Sequence, residues 1–98
     1  MDLKVERSAE GILKFHGDML RSTVPSVWAN KAQWLHDGGI KQVDVSQVDM
    51  VDSSGLALLI EIFKELHVHN RSLKVEGANT QLRQLAQLSG VESLLSLS

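Results

Sequence analysis

Asp52, Ser53, Ser54 and Gly55 stand in an unbroken row between an apolar strand pattern, Val43-Asp44-Val45-Ser46-Gln47-Val48, and a long apolar helix pattern that starts at Leu56. Such a junction sets backbone N–H groups, a carboxylate and two hydroxyls at the positive end of a helix. It can hold an anion, accept a phosphoryl group or dock a partner, and nothing nearby in the chain supplies a reaction centre. A single Ser or Asp here would be an ordinary N-cap, worth about 1 kcal/mol. Three capping types in succession exceed that need. The reciprocal capping box is also missing, because Leu56 stands three residues after Ser53 where Glu or Gln would be required. These residues are candidates for more than helix stability.

Other chemistry is thin. His16, His36, His67 and His69 lack the spacing of a metal set, and His67, read as part of the core stripe of its helix, points away from His69. Asp44 and Asp49 have no paired base and read as turn or solvated carboxylates. Trp28 and Trp34, six apart, read as one core anchor and one flanking residue. Gly38-Gly39 and Gly77 are turn glycines, and no phosphate-cradling loop of the P-loop type is present. No metal, cofactor or catalytic residue is expected, and an enzyme is disfavoured.

The elements that must position the knot follow from length and pattern. Ninety-eight residues suit a single domain with one core, 1–98. A net charge of −2 argues against nucleic acid, and the absence of cysteine removes disulfides and thiolate sites. No apolar run approaches the roughly 18 residues of a bilayer span, and the start lacks the core of a signal peptide. A soluble, cytoplasmic protein with no direct membrane insertion is expected.

Leu3 to Arg7 alternates, and Ile12 to His16 reads as a second strand after a turn at Ala9-Glu10-Gly11, with Gly17 ending it. Ser22 or Thr23 can cap a helix with Pro25 in its first turn, carrying Val24, Val27, Trp28 and Leu35 to a stop at Gly38-Gly39. A strand near Gln42 to Val45 precedes the knot, and the helix beyond it runs to about His69. Asn70-Arg71 turns the chain into a strand, Leu73 to Glu76. Asn79 caps a helix with Leu82, Leu85, Ala86 and Leu88, closed by Gly90. Val91 to Leu97 reads as a last short helix. The fold class is α/β, a mixed sheet of four or five strands with helices mainly on one side.

On the helix after the knot, Leu56, Leu59, Ile60, Phe63 and Leu66 make one stripe that should face the sheet. Leu58 and Ile62 fall off it. Either they pack beneath a neighbouring helix, or they form an exposed apolar pair that extends a docking surface from the knot.

The unit strand–Asp52-Ser53-Ser54-Gly55-Leu56–helix, within the order strand, strand, helix, strand, helix, strand, helix, helix, resembles the STAS domain over nearly the whole chain. In anti-anti-sigma factors of that family the serine corresponding to Ser53 is phosphorylated by an anti-sigma serine kinase. Those proteins usually carry Gly after the Leu, where this chain has Ala57. The run Val51 to Leu59, Val24-Pro25-Ser26-Val27-Trp28 and Leu73-Lys74-Val75-Glu76-Gly77-Ala78-Asn79, with Leu85-Ala86-Gln87-Leu88 after it, is more similar to the MlaB-like branch. There the corresponding position is commonly Thr and contacts an ATPase. The resemblance implies a non-enzymatic accessory subunit that binds the ATPase subunit of a phospholipid-transporting ABC complex. Such a complex, with a membrane permease, maintains outer-membrane lipid asymmetry, and it would hold the chain peripheral to the inner membrane. The alternative it implies is an anti-anti-sigma factor switched by phosphorylation of Ser53, with an anti-sigma kinase as partner. In both, the expected partner-binding residues are Asp52, Ser53, Ser54, Gly55, Leu58 and Ile62.

Overall fold

The computed structural model describes residues 2–35, 39–67 and 73–97. β1 (Lys4–Arg7) and β2 (Ile12–Met19) form an antiparallel hairpin, with Lys4 opposite His16 and Arg7 opposite Leu13. The turn between them needs Gly11, whose φ is 85° and whose missing Cβ would stand 2.3 Å from the Gly39 carbonyl oxygen. β3 (Gln42–Val51) runs parallel to β2, and β4 (Lys74–Glu76) parallel to β3, in the order β1-β2-β3-β4. The sheet is mixed, as the alternation of strand and helix signals predicts.

One face of the sheet is apolar. Leu13, Phe15, Met19, Val43, Val45, Val48, Val51 and Val75 are buried there, each contributing about 1.5–3 kcal/mol of transfer free energy. The other carries a charged row from strand to strand, Glu6 opposite Lys14, Lys14 opposite Asp44 and Asp44 opposite Glu76. The helices are α1 (Val24–Ala29), α2 (Lys31–Trp34), α3 (Ser53–His67) and α4 (Thr80–Ser89). Asn79 caps α4, its side-chain oxygen accepting the Leu82 N–H at 2.9 Å, and left-handed Gly90 ends it with bonds from Gly90 N–H and Val91 N–H to the Gln87 and Ala86 carbonyls.

Several elements depart from the pattern. β2 passes through Gly17 (φ 103°) to Met19, with the chain at Asp2 against Gly17, and its register with β3 shifts on either side of Gly17, the extra residue each time lying on β3. The first helix breaks at Asn30 (φ −104°, ψ 18°), whose side-chain amide donates to the Ser26 carbonyl at 3.0 Å. The break turns Trp34 into the core at 5% exposure, edge-on to Phe15 at 6.0 Å, and leaves Trp28 half-buried under the Lys31 ammonium at 4.3 Å. Val91 to Leu97 forms turns instead of a helix. Leu95 anchors it in the core, and Leu97 makes a parallel bridge to Val75, a fifth-strand stub covering the β4 edge. Leu88 is exposed, unlike Leu82 and Ala86 on the inner face of α4. His36, Gly38, His69, Asn70 and Arg71 lie outside the described residues.

The core stripe of α3 is rotated from the expected one. Leu56, Leu58, Leu59, Ile62 and Leu66 are its buried large residues, while Ile60 and Phe63 are only partly covered. Leu58 is 2% exposed and Ile62 0%, so the exposed-pair alternative is corrected in favour of packing. The physical reason is that α3 is flanked by both α1 and α4, so its apolar arc must serve two helices besides the sheet. His67 is exposed and stacks on Phe63 at 5.5 Å, off the core stripe to which its spacing assigned it.

Candidate functional site

The knot forms where β3 ends and α3 begins. Asp52 alone does the capping. Its carbonyl accepts from the Gly55 and Leu56 N–H groups at 3.0 and 3.3 Å, and its Oδ1 accepts the Ser54 N–H at 2.8 Å. Its Oδ2 accepts the Arg21 N–H at 2.9 Å, tying the loop after β2 to the start of α3. The Asp52 N–H donates in turn to the Met19 carbonyl at 3.2 Å. Both carboxylate oxygens are therefore committed to backbone donors.

Ser53 opens the helix in an exposed position, and its hydroxyl makes no hydrogen bond among the described residues. The capping role that a serine would normally fill is already taken by its neighbour. Ser54 is half-buried. Gly55 is buried because α3 starts hard against the ends of β2 and β3. A Cβ there would meet the Met19 carbonyl oxygen at 2.7 Å and Val51 Cγ1 at 2.9 Å. The sequence motif thus divides into a cap (Asp52), a free hydroxyl (Ser53) and a contact glycine (Gly55).

Beside the knot, α1 and α3 leave a groove of about 340 Å³. Val24, Pro25, Trp28, Ala57 and Leu58 line it, with Arg21 and Glu61 adding charge. Leu58 enters as the nearly buried lining of this groove, and Ile62 lies wholly inside. Arg21 and the groove-lining side of α1 escaped the sequence reading, and Ala57 entered it only as a departure from the family pattern. Arg21 is 31 residues from the carboxylate it meets, and no local spacing signals that. On the other side, Met50 at the end of β3 is 51% exposed, two residues before Asp52.

Among the described residues the remaining ionisable groups form no second cluster. Asp44 is held below its ordinary value. Desolvation works against that shift, but bonds from the side chain and backbone N–H of Ser46, with Lys14 and His16 nearby, outweigh it. His16 Nε2 lies 3.4 Å from Glu6 Oε1 without hydrogen-bond geometry. Among the described residues no group of three His, Cys, Asp or Glu is placed to hold a metal ion. No helix among them is long and apolar enough to cross a membrane.

The mixed sheet thus presents a capped, solvent-facing serine at a helix start, with an apolar groove alongside. The chain belongs to the STAS family, and the family model described as MlaB, STAS domain, matches residues 4–96. The anti-sigma-B factor antagonist of Listeria monocytogenes is 24% identical over 82 residues, covering 83% of this chain and 72% of that protein. Among solved structures, phosphorylated SpoIIAA, a Bacillus cell-fate determinant, aligns with a TM-score of 0.69 at 16% identity, over 98% of this chain and 90% of its own. An anti-sigma factor antagonist from Mycobacterium paratuberculosis aligns with a TM-score of 0.75 at 19% identity, over 97% and 82%. At these identities the structural likeness establishes the fold.

Proposed function

We propose that this chain is a non-enzymatic switch protein, an anti-sigma factor antagonist whose docking on a kinase-like anti-sigma partner is set by phosphorylation of Ser53. The observation that carries this reading is the division of labour at the knot. Asp52 caps α3 through its side chain and its carbonyl, and the exposed Ser53 hydroxyl makes no bond among the described residues. The named relatives add support, since antagonism of an anti-sigma factor is what their names record.

Chemically, the unmodified hydroxyl presents a small neutral donor and acceptor at a helix start. A phosphate adds about −1.5 to −2 charges there. The helix dipole favours that charge, while the adjacent Asp52 carboxylate opposes it. Because Ser53 faces solvent, the added group alters the docking surface and leaves the core alone. Ser54, Ala57 and the groove past Trp28 extend the same surface along α3. Leu58 contributes through the groove wall, and Ile62 only as support beneath it.

A second reading, an accessory subunit on the ATPase of a phospholipid-transporting ABC complex, is favoured by the MlaB description of the matching family. In that reading the Ser53 hydroxyl is a permanent contact and is never modified. Purification of tagged protein from its native cell, followed by identification of stoichiometric partners, separates the two. A serine kinase with its sigma factor supports the antagonist. An ABC ATPase with its permease supports the accessory subunit and overturns the first reading.

A further inference from the structure

The two edges of the sheet are treated differently. The β4 edge is covered by the bridge from Val75 to Leu97, whereas among the described residues β1 has a strand on one side only. Along the whole of β1 runs a groove of about 560 Å³, walled by Lys4, Val5, Glu6 and Arg7 on one side and by Ser26, Asn30, Gln33 and Trp34 on the other. An exposed sheet edge is what accepts an added strand, and here the Arg7 guanidinium reaches from that edge to the Trp34 carbonyl at 3.2 Å.

The hydrogen-bond phase of the hairpin decides which groups that edge offers. The Ser8 N–H donates to the Ile12 carbonyl at 2.9 Å, so Ser8 and Ile12 are a hydrogen-bonded pair. In an antiparallel ladder such pairs alternate. With the register of Glu6 on Lys14 and Lys4 on His16, those residues turn their backbone groups toward β2. Val5, between them, turns its N–H and C=O outward.

The side chains at that edge are self-complementary. Lys4 and Glu6 are exposed and stand on the same face, on either side of Val5. If a second strand of the same sequence lies antiparallel with Val5 opposite Val5, the two Val5 residues exchange both backbone bonds. Lys4 of each copy then falls opposite Glu6 of the other, in the closely spaced type of pair. A two-fold axis generates both ion pairs at once.

We propose that a second copy of this chain occupies the β1 edge, joining the two sheets into one of eight strands through an antiparallel β1–β1 pair centred on Val5. An edge of four residues buries far less than the roughly 800 Å² per partner of a standard interface, so the dimer is weak and concentration-dependent. It lies along the opposite side of α1 from the Trp28 groove and does not depend on the function assigned to Ser53.

Sedimentation equilibrium of the full chain, from micromolar to about 1 mM, tests this. Wild type should pass from monomer to dimer across that range. Lys4→Glu and Glu6→Lys, each placing like charges opposite one another, should weaken association at least tenfold. The double swap, Lys4→Glu with Glu6→Lys, should restore it, each protein being measured well below its own thermal midpoint because a lysine at position 6 also stands opposite Lys14. A monomer at every concentration overturns the proposal. So does a dimer indifferent to the single substitutions, or one that the double swap does not rescue, including a dimer formed through another face.

Discussion

At Asp52 and Ser53 two neighbouring side chains of the same capping class have separated tasks. Asp52→Ala removes the acceptor for Ser54 N–H and for Arg21 N–H, and should cost about 1–2 kcal/mol. Ser53→Ala removes no bond within the fold and should stay within about 0.5 kcal/mol of wild type. Urea denaturation of both variants checks the contrast, and equal losses would mean that Ser53 shares the capping after all. Gly55→Ala should cost about 2 kcal/mol, because the new methyl has no room between the Met19 carbonyl and Val51. The row of residues was visible in the sequence as one with too many caps. Which of them capped was not, because the choice depends on Arg21 and Met19 arriving from another part of the chain.

Among the elements, α3 shows how far periodicity reaches. Its amphipathic character is plain from Leu56, Leu59 and Leu66, and these three are buried as expected. Ile60 and Phe63 against Leu58 and Ile62 could not be decided by a helical wheel. The buried arc is set by α1 and α4, and only the packed molecule shows where those helices lie. Leu58→Glu should therefore unfold or severely destabilise the protein, since it places a charge at a site 2% exposed. Ala57→Arg, on the exposed rim of the same groove, should leave the thermal midpoint nearly unchanged while weakening the partner. A loss of binding only in proportion to lost stability would remove the groove from the docking surface. The first helix and the C-terminal turns were misread for a similar reason. The break at Asn30 serves the seating of Trp34, and Val91 to Leu97 is shaped by the strand edge it covers.

On the sheet, Asp44 offers a pH test. Its depressed pKa means that the folded state holds the charged form more strongly than the unfolded chain does. The stabilisation is present above the ordinary value of 3.8 and is lost as pH falls through the lower, folded value. Asp44→Asn should flatten the acid limb of a stability–pH curve, with only a small difference left between the two proteins once pH lies below the folded value. An unchanged acid limb would show that the Ser46 bonds do not hold the charge.

For the whole molecule, the order of elements along the chain was legible because nearly every strand and helix carries its own punctuation, from Gly11 and Asn79 to Gly90, and the family was legible in the strand–Asp52-Ser53-Ser54-Gly55-Leu56–helix unit. The partner was not legible, because a solvent-facing hydroxyl beside a groove suits more than one. The antagonist reading stands on Ser53 being modified in the cell. The direct measurement is intact mass, with site localisation, of the protein taken from its native cell in growth and under stress. The antagonist reading predicts a species one phosphoryl group heavier, localised to Ser53, whose share changes between the two states. Protein unmodified at Ser53 in both would contradict it and leave the hydroxyl as a fixed contact.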